Sequence, residues 1–153
     1  MDRRRTARVL AAASETELRA LWDAWSSPPE IEYLRGPEVG LVMVQGRVGG
    51  GGDRFNLGEA TVSRATVVAR CEGHEATGVA YVLGSHPGHA GVAAIFDALL
   101  GTAQRAQVLG RVIEPLERSQ MEADKRARAQ GRSTVVDFFT VARENSDQDG
   151  DDD

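Results

Sequence analysis

The part of the chain best suited to chemistry is a glycine-rich stretch flanked by two arginines. Arg47 and Arg54 enclose four consecutive glycines, Gly49, Gly50, Gly51 and Gly52. Glycines leave backbone N–H groups open to an approaching anion, and an arginine side chain can bind two phosphate oxygens at once. The spacing therefore predicts an anion-binding loop formed by these six residues.

This stretch is not a Walker motif, because the only lysine of the chain, Lys125, lies far from the glycines. A second interpretation stays open. The glycines would then form a mobile hairpin loop, and the arginines would be solvated or paired with Asp53 or Glu59. Arg64, on the strand that follows, could join either arrangement.

Histidines offer a weaker chemical signal. His86 and His89 lie three residues apart at a predicted helix start, a spacing compatible with two metal ligands on one face. Only Cys71 and His74 remain as soft third ligands, and they belong to a different predicted hairpin. We therefore expect helix-entry or surface histidines and no metal site.

The acidic residues do not select a catalytic pair. Glu59, Asp97 and Asp137 could each contribute a carboxylate, but nothing in their spacing defines a dyad, and no Ser/His/Asp or Cys/His order stands out. Asp137 lies beside Phe138 and Phe139, a pattern more typical of core or interface than of catalysis. The sequence assigns no catalytic residue.

The elements around these residues can be read from hydrophobic periodicity. Residues 2–13 suit a short helix, and Ser14 followed by Glu17 forms a capping box for a second helix. In that second helix four apolar residues fall on one face, Leu18, Leu21, Trp22 and Trp25.

The middle of the chain has the period of β-strands. A turn at Gly36-Pro37 would separate a strand near Ile31 from a second strand at residues 39–48. A third strand is predicted at 59–71, and a turn at 72–75 leads into a fourth at 76–83.

Helical periodicity returns after Gly84. One helix should begin near residues 85–88, and another near Thr102, with a kink at Pro115 and a largely charged second half that ends near Gly131. A final strand is predicted at residues 135–141. A block of strands between helical pairs predicts an α+β fold, with helices packed against a mainly antiparallel sheet.

Length and charge define the limits of that fold. The chain has 153 residues and a formal net charge of -5, but six of its 23 acidic residues lie in the last ten positions. We therefore expect a single domain over residues 1–143 and a flexible, disordered acidic tail over residues 144–153. Residues 1–143 then carry 17 acids against 18 bases, so the domain has no basic surface suited to nucleic acid.

The remaining composition points to a cytoplasmic protein. Cys71 is the only cysteine, which excludes an internal disulfide. The apolar run after Arg8 is too short for the core of a signal peptide, and the longest apolar runs of the chain are too short to span a bilayer. We expect neither membrane nor nucleic-acid partners.

Several separated blocks carry a family resemblance. The longest runs from Gln45 to Arg64 and includes the glycine-rich stretch. Shorter blocks follow in order: Tyr81 to Gly84, Asp97 to Leu100, Ile113 to Leu116, and Val136 to Thr140. Together they resemble the PhnG family of the bacterial carbon-phosphorus lyase system, over about residues 8–143. The chain differs from the usual family pattern at Gly51, where a threonine is common.

The resemblance implies a function within a complex. Members of this family act with PhnH, PhnI and PhnJ in the step in which a phosphonate displaces adenine from ATP, giving α-D-ribose 1-methylphosphonate 5-triphosphate. In that arrangement PhnI carries nucleosidase-like chemistry and PhnJ the later radical cleavage. The resemblance implies ATP as a substrate of the complex and no cofactor in this subunit.

Three functional hypotheses remain open at this point. The first is a transferase subunit that assists substrate binding without being catalytic alone. The second is a purely structural scaffold of the same complex, with no substrate contact. The third, a stand-alone enzyme, is disfavoured because the chain lacks a complete catalytic constellation.

Overall fold

A computed structural model describes residues 2–71 and 73–132 of the chain. The elements, in chain order, are α1 (Arg3–Ala12), α2 (Glu15–Asp23), β1 (Glu30–Arg47), β2 (Arg54–Cys71), β3 (His74–Leu83), α3 (Pro87–Leu99), α4 (Arg105–Val108) and α5 (Glu114–Arg132). A short 3₁₀ turn covers Val48–Gly50, and a π-helical turn covers Leu109–Ile113. The predicted α+β class with an antiparallel sheet and packed helices is confirmed. The predicted strand at 135–141 and the acidic tail at 144–153 lie outside the described residues.

The two N-terminal helices begin where their caps predict. The Ser14 hydroxyl accepts a hydrogen bond from the Glu17 backbone N–H at 3.2 Å, as expected for the cap of α2. The Asp2 side chain caps α1 in the same way, through the N–H of Arg4. These caps fix the entry of both helices, which pack through Leu18 and their other apolar residues onto the core.

The sheet has three antiparallel strands in the order β1-β2-β3. β1 pairs with β2 from Glu30↔Arg70 to Arg47↔Arg54, over almost the full length of both strands. β3 pairs with β2 only from Cys71 back to Val62. The hairpin predicted at residues 72–75 is confirmed by the Cys71↔His74 pair.

The predicted turn at Gly36-Pro37 is wrong. β1 is one strand of 18 residues, so the two strands predicted before the glycines are a single strand. Register shifts between Tyr33 and Arg35 and between Arg35 and Glu38 show a bulged stretch at this point. Proline has no backbone N–H to donate to a neighbouring strand, so within sheets it occurs at bulges and in edge strands. β1 is an edge strand of this sheet.

The core lies between α3 and the inner face of the sheet. α3 is buried along nearly its whole length, and the Trp22 and Trp25 rings form T-shaped pairs with Phe96, with ring centroids 6.0 and 5.6 Å apart. Gly78 of β3 lets the helix approach closely, because a Cβ at this position would overlap the backbone of α3 at Ala94 and Ala98. Small residues at this contact set the distance between helix and sheet.

The C-terminal helical region changes pitch before Pro115. The π-helical turn at Leu109–Ile113 lies directly before α5, in which Pro115 is the second residue. Proline cannot donate to the carbonyl four residues earlier, so a helix adjusts its hydrogen bonding before it. The predicted irregularity is thus a π turn. The charged second half of α5 is exposed and continues to Arg132, one residue past the predicted stop at Gly131.

The β1–β2 hairpin extends beyond the layers that cover the core. β3 ends opposite Val62, so residues 41–61 form a two-stranded ribbon, here called the arm. Side chains of β2 are mostly buried from Val62 onward but exposed or half-buried along the arm. The arm reaches about 20 Å from the three-stranded sheet, at 3.3 Å per residue. Its tip carries the glycine-rich stretch.

Candidate functional site

The tip of the arm is a tight turn that requires glycine at several positions. Gly49 and Gly50 have φ angles of 57° and 81°, in the left-handed region that glycine adopts without strain. A Cβ at Gly52 would lie 2.7 Å from the Val48 carbonyl oxygen, which accepts a hydrogen bond from the Gly52 N–H at 2.8 Å. Gly51 alone of the four has a negative φ and open space around it. Most of the glycine run is therefore explained by the turn.

The two arginines of the predicted anion site are brought together. Arg47 and Arg54 are cross-strand partners at the last pair of the hairpin, which places their Cβ atoms about 5 Å apart on one face. Both side chains are exposed. Arg47 donates from Nη1 to the Gly52 carbonyl oxygen at 3.1 Å, a bond that folds its guanidinium over the turn.

No carboxylate neutralises this arginine pair within the described residues. The ion pairs of residues 2–71 and 73–132 do not involve Arg47 or Arg54, so the expected alternative of pairing with Asp53 or Glu59 is not present. Like charges directly opposite each other on two strands destabilise the pair. The tip thus holds two adjacent positive charges that an anion could neutralise.

Arg64 does not belong to this site. It lies ten residues from Arg54 along β2, about 33 Å at the rise of an extended strand. Its Nε donates to the Glu38 carboxylate at 2.7 Å. This hydrogen bond is the main cause that lowers the pKa of Glu38 below its ordinary value, although both side chains are partly exposed. Arg64 therefore links β2 to β1 in the middle of the hairpin.

The two histidines of the rejected metal hypothesis have different surroundings. His89 is buried, and its Nε2 lies 2.8 Å from the Leu10 carbonyl oxygen, to which it donates a hydrogen bond that joins α3 to α1. His86 occupies the N-cap position of α3, and its backbone N–H donates to the Ser63 hydroxyl at 2.6 Å. Among the described residues, no three His, Cys, Asp or Glu side chains are grouped to hold a metal ion.

Asp97 is a buried polar residue whose role the sequence did not reveal. Asp97 as a residue is 6% exposed, and its carboxylate accepts hydrogen bonds from the Val79 backbone N–H at 3.0 Å and from Arg3 at 2.9 Å. The bond to Asp97 is the main cause that raises the pKa of the Arg3 guanidinium. Asp97 is among the residues that line two cavities, of about 300 and 180 Å³. Because its hydrogen bonds join three elements, Asp97 anchors α1 and β3 to α3.

One signal for Asp97 was present in the sequence. An acidic residue inside the apolar stretch 92–100 must either face solvent or find partners inside the fold. Its partners are 94 and 18 residues away along the chain, so periodicity could not identify them.

The described helices do not include one long and apolar enough to cross a membrane. At the hairpin tip, the structure brings two exposed arginines together, and anion binding by this pair stays a prediction.

Comparisons with known proteins identify the family of the chain. The model of the family described as phosphonate metabolism protein PhnG matches residues 1–144. A curated relative from Rhizobium meliloti (strain 1021), named alpha-D-ribose 1-methylphosphonate 5-triphosphate synthase subunit PhnG, is 46% identical over 142 residues. That match covers 93% of this chain and 89% of the relative. The chain therefore belongs to the PhnG family of phosphonate metabolism proteins.

Proposed function

We propose that this chain is a subunit of an α-D-ribose 1-methylphosphonate 5-triphosphate synthase complex, together with PhnH-, PhnI- and PhnJ-like subunits. The family match and the name of the 46% identical relative support this proposal. In the reaction, an oxygen of the phosphonate forms a bond to ribose C1 of ATP. The bond from C1 to adenine breaks, and adenine leaves with a proton.

The observation that carries a role for this chain in binding is the Arg47–Arg54 pair. Arg47 and Arg54 lie directly opposite each other at an exposed hairpin tip, without a carboxylate partner among the described residues. Both substrates of the reaction are anions, and arginine binds phosphate-type oxygens through paired N–H groups. In this proposal the arm presents the arginines to a substrate held by a catalytic partner, either at the triphosphate or at the phosphonate.

The scaffold hypothesis remains the second candidate, and a specific observation favours it. Gly49, Gly50 and Gly52 are explained by the turn itself, so they need no ligand to account for them. In addition, Arg47 already donates to the Gly52 carbonyl oxygen. If the chain is only a scaffold, the arginines lie in solvent in the assembled complex, and removing them changes adenine release little.

Single substitutions at the tip separate these two candidates. Losing one charge-assisted contact, worth about 1.5–3 kcal/mol, weakens substrate use by roughly 10- to 150-fold. We expect this loss in adenine release for Arg47→Ala and for Arg54→Ala, measured on assembled complexes over a range of ATP and methylphosphonate concentrations. Lysine at either position restores the charge without the planar fork, so it recovers activity only in part.

A matched control is available on α1. Arg4 is also exposed, and its side chain has no hydrogen bond or ion pair to residues 2–71 or 73–132. Arg4→Ala should leave adenine release within about 0.5 kcal/mol of wild type, as for an ordinary surface substitution. Wild-type kinetics for both tip variants would leave the scaffold as the better explanation.

A further inference from the structure

The edge of the arm differs from the edge of the sheet that it extends. Within residues 30–38, β1 carries the charged residues Glu30, Glu32, Arg35 and Glu38 together with Pro37 and a bulged register. Charges, proline and bulges are the usual means by which proteins prevent an edge strand from pairing with another chain. This half of β1 is protected.

The second half of β1 has none of these protections. Residues 39–46 contain no charged residue and no proline. The register shift at Val44/Gln45 inserts its extra residue in β2, so the outer edge of β1 stays regular. One strand therefore combines a protected half over the core with an open half along the arm.

Both faces of the arm carry exposed apolar side chains as well, with Glu59 opposite Met43 on one of them. Leu41 and Met43 continue the core-side face past the end of the helical layer. On the opposite face, Phe55 and Leu57 lie beside Gly46, next to Val44. All of these side chains are between 39% and 62% exposed.

Five half-exposed apolar side chains, shared between the two faces of the arm, are left uncovered by the described residues. Five side chains at about half exposure, with about 100 Å² for each when fully exposed, leave on the order of 250 Å² in contact with water. The largest apolar patch of a typical monomer is about 300–600 Å², so this area alone does not mark an interaction site. Here the patch coincides with an open strand edge, which supplies unpaired backbone groups over the same residues.

We propose that residues 39–46 dock against an edge β-strand of a different protein subunit, whose own layers cover both apolar faces of the arm. This docking rests on the proposed role as a subunit of a synthase complex. The mode is β-strand addition, in which backbone hydrogen bonds give affinity and side-chain pockets give specificity. The partner strand must be apolar, because the segment offers no charge for an ionic partner.

A second copy of this chain fits less well. If two arms paired edge to edge, they would form a four-stranded ribbon with both apolar faces still in water. The helix α3 of each copy covers only the part of the sheet that β3 also borders. A partner with its own helical or sheet layer can cover the edge and the faces together. Docking also places the tip arginines at the partner's surface.

The test compares two leucines of the same strand. Leu41 and Leu34 are both 60% exposed, but Leu41 lies in the open half of β1 and Leu34 in the protected half. Tagged full-length chain carrying Leu41→Glu or Leu34→Glu is expressed together with the other subunits of the complex, and the co-purified subunits are quantified. We expect Leu41→Glu to lower recovery at least about tenfold, whereas Leu34→Glu keeps it within about twofold of wild type.

Equal recovery in both variants overturns the proposal, and so does equal loss. If Leu41→Glu removes only self-association of the chain and leaves recovery of the other subunits intact, the occupant is a second copy and the proposal is also overturned. The melting temperature of each variant chain shows whether the substitution has changed folding itself. If Leu41→Glu lowers the melting temperature, the hydrogen-exchange experiment decides whether residues 39–46 dock.

Hydrogen exchange tests the backbone pairing without any substitution. Amides of residues 39–46 that face the outer edge should exchange at least about tenfold more slowly in the complex than in the free chain. Unchanged exchange across this segment overturns the proposal. The docking proposal and the substrate-binding proposal can fail separately. If residues 39–46 are protected in the complex but adenine release does not depend on Arg47 or Arg54, only substrate binding at the tip is contradicted.

Discussion

Arg47 and Arg54 face each other across the last pair of the β1–β2 hairpin, about 20 Å beyond the three-stranded sheet. Two like charges in this position destabilise the hairpin unless something neutralises them. The fold holds the pair away from its own core and beside an open, apolar strand edge. Both features are consistent with a subunit whose site is completed by a neighbour.

The turn at the tip should tolerate a side chain at Gly51 but not at Gly52. Alanine at Gly52 brings its Cβ to 2.7 Å from the Val48 carbonyl oxygen, whereas Gly51 has open space. We expect Gly52→Ala to speed hydrogen exchange at the Val48 and Gly52 amides by about tenfold or more, the consequence of 1–3 kcal/mol of overpacking. Gly51→Ala is the matched control and should leave both rates unchanged. Similar exchange in the two variants would contradict this structure of the turn.

Gly78 should be the most sensitive glycine of the core. Its missing Cβ makes room for the backbone of α3 at Ala94 and Ala98. Gly78→Ala must separate the helix from the sheet, so we expect a loss of at least about 2 kcal/mol in the free energy of unfolding, measured with urea. Gly110, which has nothing within 4 Å of a Cβ position, serves as the control. Gly110→Ala should be neutral or stabilising by up to about 1 kcal/mol.

Asp97 should contribute to stability rather than to catalysis. Asp97→Ala leaves the Val79 N–H without its acceptor, so the expected cost in unfolding free energy is about 1–3 kcal/mol. Arg3→Ala should cost less than about 1 kcal/mol, because the Arg3 side chain is mostly exposed and water can replace it around the salt bridge. If adenine release by an assembled, folded Asp97→Ala complex fell more than about 100-fold, the purely structural role would be wrong.

Acid should weaken the fold through two glutamates. Hydrogen bonds from Arg5 and Arg64 lower the pKa values of Glu117 and Glu38, respectively, below the ordinary 4.5. A carboxylate with a lowered folded-state pKa stabilises the fold above its unfolded value, and this stabilisation disappears as the pH falls through the folded-state value. We therefore expect the melting temperature to fall below about pH 4.5. Glu117→Gln should make that fall shallower, and an unchanged pH profile in this variant would refute the assignment.

The periodicity of the sequence was sufficient for most elements of the fold. The cap at Ser14, the β2–β3 hairpin and the buried helix α3 all depend on local patterns, and the structure confirms them. The turn predicted at Gly36-Pro37 was wrong because glycine and proline occur both in turns and in the bulges of edge strands. Only pairing with β2, more than 25 residues later, distinguishes them.

The site was only partly accessible to sequence reasoning for a similar reason. Arg47 and Arg54 could be associated because a hairpin brings its two ends together. The anchoring role of Asp97 depends on α1 and β3, which no local pattern connects to it. The apolar arm was also not anticipated, because its residues have the alternation of an ordinary strand. Their exposure follows from where β3 ends.

Equilibrium binding of the two anions is the most direct test of the arginine pair. The assembled complex is titrated with ATP alone and, separately, with methylphosphonate alone, in wild-type form and with Arg47→Ala and Arg54→Ala combined. Loss of two charge-assisted contacts predicts that Kd for at least one of these anions rises about 100-fold or more, while the Arg4→Ala complex binds as wild type does. Equal Kd values for both anions in the wild-type and double-variant complexes would contradict anion binding at the hairpin tip.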